Sequence, residues 1–391
     1  MAAEFPLRPG THHLWRQQRG SEEPAGPHPV RELTDMAFTA TPLLPGDLFD
    51  SAAKFAAAAD ARTAELAKVR ERDEHAARLW EQATELGWPA IMVPEEQGGI
   101  GGGIPDVAAL VEGGARAALP LPLVPACAIV PILLQAAGEA GQATLGGLAE
   151  GTARIIPVLP EDAPGLRATR QGAAWRLDGA AEGVARLPGL TQLLVACAAE
   201  GGTALLLVEA SAATLREHER LDGQPSLDAS FDGTAATLLA QGEAVEASLV
   251  QARDAGAFLC CMEAVAAMGA ALEQTVGYLN TRVQFGQTLA SFQALRHRTV
   301  ELYVIYETAR ALMRHLLEQA EAGTPWAARE LSLAKLHIGP AARAFAKEAI
   351  QLHGGMGLTE ELAAVRLAKR LLLVEFEYGD SITRAEALLA A

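Results

Sequence analysis

The stretch N-T-R-V-Q-F-G-Q-T-L-A-S-F-Q-A-L-R-H-R, residues 280–298, lies between two segments patterned as helices. A turn between helices needs a residue free to adopt positive φ, and Gly286 supplies it. It does not need Arg282, Gln284, Phe285, Phe292 or Gln293, so the segment holds more than a turn between two core helices requires. Upstream, a long helix runs from about residue 249 to Thr281. Downstream, Leu302, Ile305, Tyr306, Ala309, Leu312, Met313 and Leu316 recur at three-and-four spacing, the stripe of a buried helix. A third helix follows Pro325 and ends at Q-L-H-G-G-M-G, where Gly354 can cap it in the left-handed region. A fourth covers roughly residues 360–373, and E-F-E-Y-G-D-S leads into a last one.

Between residues 152 and 248 the texture is different. Short apolar segments such as T-Q-L-L-V-A-C-A-A alternate with glycine, proline and aspartate turns, the rhythm of an all-β domain. The Asp178-Gly179 pair is expected to turn a hairpin. Residues 36–151 are helical again, interrupted by the glycine-rich 98–103 loop and by L-P-L-P-L-V-P. That loop fits neither phosphate-binding glycine motif in register. Residues 1–35 show no periodicity and read as a disordered extension or tag. The expected class is mainly α with a central β domain: helical domain 36–151, β barrel-like domain 152–248, helical bundle 249–391.

Composition narrows the function. The 391 residues carry a net charge of −16, which argues against a nucleic-acid surface. No apolar run reaches the roughly twenty residues of a membrane span. Of four cysteines, Cys260 and Cys261 are adjacent and point about 100° apart on a helix, unsuited to a disulfide or a shared metal. No metal-ligand spacing occurs. Core thiols and the lack of a signal-peptide pattern point to a cytoplasmic protein.

Three motifs in order resemble the acyl-CoA dehydrogenase family. L-W-E-Q-A-T-E-L-G-W-P-A-I-M-V-P-E-E-Q-G-G-I-G-G-G is similar to its N-terminal helix and P-E-E-x-G-G loop. T-R-V-Q-F-G-Q-T-L-A-S-F-Q matches R-x-x-F-G-x-x-[LI]-x-x-F-Q, and Q-L-H-G-G-M-G matches Q-x-x-G-G-x-G. The resemblance implies the fold just described and FAD as cofactor, bound largely across a dimer interface. It implies that Arg282 clamps the FAD pyrophosphate through a forked cation, with Gln284, Phe285, Phe292 and Gln293 beside it. Gln351, Gly354 and Gly355 would meet the adenosine end from a neighbouring subunit. It further implies an acyl-CoA substrate desaturated at its α,β bond, a homo- or heterotetramer and electron-transfer flavoprotein as acceptor.

The sequence departs from that family in two places. Where members carry T-E-P-x-x-G-S-D and a T-K-x-[WY]-I-[ST]-N strand against the flavin ring, this chain has V-L-P-E-D-A-P-G-L-R-A-T-R and A-A-E-G-V-A-R-L-P-G-L-T-Q. The family's catalytic glutamate aligns with Tyr378, or in other members with Gly256, and neither is an acid. The nearest carboxylates, Glu377 and alternatively Asp254, are the candidate bases. H-G-G-x-G-x-T-x-E followed by K-R and G-D resembles members paired with a larger acyl-CoA dehydrogenase subunit, which act on bulky acyl groups including steroid fragments. A flavin-dependent monooxygenase on the same fold and a non-catalytic partner subunit are the alternatives.

Overall fold

The computed structural model describes residues 36–65, 69–172, 174–323 and 326–390; the extension expected over residues 1–35 lies outside them. Five helices form the N-terminal part: α1 (Asp47–Glu65), α2 (Val69–Glu85), α3 (Ile104–Ala115), α4 (Val130–Ala136) and α5 (Glu139–Ala149). The chain enters through residues pinned at both ends. Asn280 brackets the backbone of Met36 (3.2 and 2.8 Å), and buried Glu112 on α3 accepts the N–H groups of Leu43 (2.6 Å) and Leu44 (2.9 Å). The glycine-rich loop folds back on residues 90–93, where the N–H groups of Ile100, Gly101 and Gly102 bond the carbonyls of Ala90, Val93 and Ile91. Those donors are spent internally, which agrees with the failed phosphate motif.

The central part is a seven-stranded sheet: β1 (Ile155–Val158), β2 (Arg167–Gln171), β3 (Ala174–Ala185), β4 (Gln192–Ala199), β5 (Gly202–Glu209), β6 (Thr214–Glu219) and β7 (Pro225–Gln241). Pairing runs β4-β2-β3-β7-β5 and returns to β4, closing a ring, with β1 added beside β4 and β6 beside β7. β4 is buried on both faces from Leu193 to Cys197, hence its unbroken apolar run. The Asp178-Gly179 turn expected from sequence is corrected here: both residues lie inside β3, at a register shift against β7. Gly179 has φ +133°, and a Cβ there would meet the Cα of Leu166 at 2.9 Å. The glycine answers a close strand crossing, not a hairpin.

The last strand ends at Gln241 and α6 (Glu243–Thr281) begins at once. With α7 (Gln293–Glu321), α8 (Ala328–Leu352) and α9 (Ala363–Leu371) it makes a four-helix bundle, and α10 (Ser381–Ala390) packs on α8. On α7 the sequence stripe buries Leu302, Tyr306, Ala309, Met313 and Leu316, with Ile305 and Leu312 half-buried. α6 is long and apolar enough to cross a membrane, contrary to the sequence reading, but 94% of that window is buried inside the protein. It contacts α3, α4, α7, α8 and α9, so its all-round hydrophobicity is that of a central core helix. All four cysteines are free and buried.

Candidate active site and exposed hairpin

The stretch at residues 280–298 ends α6, makes a two-stranded hairpin and starts α7. β8 (Val283–Gln284) pairs with β9 (Gln287–Thr288) around Phe285 and Gly286, whose φ values are +54° and +79°. Two positive φ angles in a two-residue loop are those of a type I′ turn. Glycine adopts this freely, whereas for phenylalanine it costs of order 1 kcal/mol. Phe285 is also 90% exposed, touching the ring of Phe292 edge-on at 6.2 Å between centroids. Arg282, extended after the helix end, is exposed and makes no ion pair among the described residues. A strained exposed aromatic beside an unpaired arginine gives this fold nothing, so the hairpin is shaped for something outside it.

The end of α8 lies alongside. Tyr278, one turn before Arg282, packs its ring on His353 (4.7 Å) and donates its hydroxyl to the His353 carbonyl (3.3 Å). Gln351, Gly354 and Gly355 are exposed there, and Gly354 (φ +56°) takes the left-handed conformation expected of it. The hairpin residues and this glycine turn therefore share one end of the bundle.

A second region lies at the opposite end of α6. A cavity of about 790 Å³ opens where the N-terminal helices, the β1–β2 loop and the C-terminal turns meet. Six carboxylates line it (Glu161, Asp162, Asp254, Glu263, Glu377 and Asp380), as do Arg186, Arg220, Arg253, Arg370 and Arg384. Arg370 is the centre of its wall. It forks onto Glu263 (2.6 and 2.7 Å) and onto Glu377 (2.8 and 2.6 Å), and stands 3.6 Å from Asp222. Arg220, reaching over from the β6–β7 turn, pairs with Glu377 as well.

That network decides what Glu377 can do. Burial pushes its pKa up, but Arg370 and Arg220 more than offset this and hold it well below the usual carboxylate range. An acid so clamped has little proton affinity and is a poor general base. Asp254, the alternative, is paired with Arg384 at 3.5 Å. The two positions aligned with the family's base turn out to be one place. The ring of Tyr378 lies on Gly256, where a Cβ would come within 2.3 Å of Tyr378 Cδ1. Tyr378 itself sits at φ +53°.

The family description "Acyl-CoA dehydrogenase, N-terminal domain" matches residues 47–152, and "Acyl-CoA dehydrogenase, C-terminal domain" matches residues 247–388. Acyl-CoA dehydrogenase IpdE2 of Mycobacterium tuberculosis is 32% identical over 312 residues, covering 79% of this chain and 83% of that protein. The chain belongs to the acyl-CoA dehydrogenase family. The ChsE4-ChsE5 complex from M. tuberculosis superposes with TM-score 0.75 at 16% identity, over 90% of this chain and 98% of that one. A glutaryl-CoA dehydrogenase from Mycobacterium smegmatis in complex with FADH2 gives 0.74 at 22% identity, over 88% and 94%.

An acyl-CoA dehydrogenase is expected to hold a flavin, and the residues here fit it unevenly. The hairpin offers a free guanidinium, an aromatic pair and open glycine backbone, a donor set suited to a pyrophosphate and adenosine. The cavity wall from the β domain (Ile156, Pro157, Leu159, Glu161, Asp162, and 183–186) offers no hydroxyl and no aromatic ring to a flavin ring. The sequence had flagged both halves of that contrast. It missed Arg220, Glu263 and the ion-pair role of Arg370: Glu263 lies 107 residues from Arg370, and Arg220 lies 157 residues from Glu377. The only local signal for Arg370 was its K-R pair.

Proposed function

We propose that the chain is a subunit of an FAD-dependent acyl-CoA dehydrogenase that desaturates an acyl-CoA thioester at the α,β bond. The observation that carries this reading is the separation of the two regions. Asp254 at the cavity and Arg282 at the end of the same helix are 28 residues apart, roughly 40 Å at 1.5 Å per residue. No single dinucleotide spans that distance. The hairpin of this chain therefore serves a flavin seated in a neighbouring subunit.

In that role Arg282 forks onto the pyrophosphate, Gln284, Phe285, Phe292 and Gln293 flank it, and Gln351, Gly354 and Gly355 receive the adenosine. When bound, the flavin accepts the hydride equivalent that the reaction removes. Electron-transfer flavoprotein is the acceptor in this reading. The exposed Val300, Tyr303 and Val304 on α7 give the bundle an apolar outer face, which supports a tetramer with a second copy or a larger acyl-CoA dehydrogenase subunit. The structural likeness to a complex of two differently named chains favours the heteromer. A cavity of 790 Å³ suits the bulky acyl groups that the sequence resemblance implies.

The test is anaerobic titration of the purified protein, with any co-purifying subunit, against a panel of linear, dicarboxylic and fused-ring acyl-CoA esters. Bleaching of the flavin supports the reading. Flavin that no ester reduces, with oxygen uptake on adding reductant, supports the monooxygenase. A complex whose flavin stays bound to the larger subunit when this chain is removed, with unchanged turnover, makes this chain a structural partner.

A further inference from the structure

We propose that Tyr378 is the specificity-determining residue of the cavity: its ring, seated on Gly256, limits the size of the acyl group admitted beside α6. The inference rests on the dehydrogenase reading above, in which the cavity receives the acyl group, and adds the residue that bounds it.

Two unfavourable local choices meet at this place. Gly256 lies in the interior of α6, where glycine is less stable than alanine. Tyr378, on the turn between α9 and α10, holds φ at +53°, a region that residues other than glycine occupy under strain. Each choice explains the other. The three atoms nearest to a Cβ built on Gly256 all belong to the Tyr378 ring, at 2.3, 2.6 and 2.7 Å. A side chain at position 256 and the ring cannot share that space.

The turn that carries the ring is held from several sides. Glu377 is clamped by Arg370 and Arg220. The Tyr378 carbonyl accepts a bond from Arg384 Nη2 (2.8 Å), and the same guanidinium meets Asp254 on α6 (3.5 Å). Gly379 follows at φ +95°, where a Cβ would come within 2.8 Å of Arg384 Nε. Asp380 then accepts the N–H of Thr383 (2.7 Å) at the start of α10. A ring mounted on so fixed a backbone does not swing aside to suit a ligand. It is nevertheless not sealed in the core. Tyr378 is half-buried, lines the cavity, and its hydroxyl has no hydrogen-bond partner among the described residues. A tyrosine that served packing alone would be enclosed, with its hydroxyl bonded. Apolar lining for an acyl group comes from Val111, Leu119, Leu121 and Leu123 in the N-terminal part. Such a group is selected by fit, because one methylene more or less changes discrimination by about ten- to two-hundredfold.

The test compares wild type with Tyr378→Gly, Tyr378→Phe and Gly256→Ala, each purified with any co-purifying subunit. Tyr378→Gly removes the ring and relieves the positive φ, whereas Gly256→Ala drives the ring off α6. Calorimetric titration with acyl-CoA esters graded from short linear to fused-ring gives the order of affinities. Tyr378→Gly should bind the largest esters about tenfold or more tightly than wild type, and Gly256→Ala about tenfold more weakly. Tyr378→Phe, which keeps the ring, should restore the wild-type order. Fluorine NMR supplies a local readout independent of turnover. With meta-fluorotyrosine in this chain, the four tyrosines give four resonances. The one missing from Tyr378→Phe should shift when ester is added to wild type. If wild type binds esters but the two glycine-site variants keep its order of affinities, or that resonance stays still, the ring does not bound the site and the dehydrogenase reading stands. If Tyr378→Phe behaves like Tyr378→Gly, the hydroxyl discriminates and the size limit is overturned. If wild type binds no ester at all, the dehydrogenase reading fails and the assignment with it. Should Tyr378→Gly fail to fold, Gly256→Ala and the resonance decide the matter alone.

Discussion

The two ends of α6 handle charge in opposite ways. At the hairpin, Arg282 is exposed and unpaired among the described residues, and Phe285 is held exposed in a conformation that costs energy. At the cavity, nearly every charge is neutralised by a neighbour within the same chain, with Arg370 alone holding two carboxylates. A group left unsatisfied by its own fold is available to a partner, and a group satisfied internally is committed to stability. The difference separates residues left free by the fold from residues that hold it, although both regions are rich in arginine.

The largest effect should come from breaking the internally paired end. Arg370→Leu would leave the half-buried Glu263 with no cation among the described residues and leave Glu377 and Asp222 to Arg220 alone, and removing one partner of such a network costs about 3–5 kcal/mol. Urea unfolding should show a much lower midpoint with an unchanged slope. An unaltered midpoint would mean that the cavity wall is not a closed network. Acid titration reads the same feature. Because the folded pKa of Glu377 is depressed, its contribution is complete above the unfolded value of about 4.3 and is lost as pH falls below it. Wild type should therefore lose stability below about pH 4.3 more steeply than Glu377→Gln.

Arg282→Ala should do the reverse. The fold stays intact by circular dichroism and urea, while FAD affinity of the assembled protein drops by ten- to a hundredfold, or about 1.5–3 kcal/mol. Arg282→Lys should recover only part, since an ammonium cannot fork onto a pyrophosphate. Equal flavin content in all three proteins would reduce the hairpin to a surface turn.

The smallest effect sharpens the contrast. Phe285→Gly relieves a positive φ, so the stability of the isolated chain should change by no more than about 1 kcal/mol. Flavin retention in the assembled protein should nonetheless fall, measured by absorbance after gel filtration. A loss of stability with no loss of flavin would place Phe285 in the fold rather than in the site.

How much of this was legible in advance follows the range of the forces. The α7 stripe could be read because a 3.6-residue period is local, and so could a turn at Gly286, whereas the β8–β9 pairing around Phe285 and Gly286 could not. Asp178-Gly179 was misread for the same reason. Locally it is turn chemistry, but the need for glycine arises from Leu166 crossing against it. Glu377 was chosen for its nearness to an aligned position, and nothing near it in sequence told of Arg220, 157 residues away.

The sequence by itself determined the helical, β and helical order, the burial pattern of the bundle and the chemistry of the segment at residues 280–298. These depend on periodicity, turn propensity and residue type, all carried by short stretches of chain. Only the tertiary structure decided that Tyr378 covers Gly256 and that four of the six cavity carboxylates are ion-paired, while Asp162 and Asp380 each accept a backbone N–H. It also placed the hairpin a helix-length from its own cavity. Charge pairing and reach depend on distances between elements far apart in sequence, and those exist only once the core has brought the elements together.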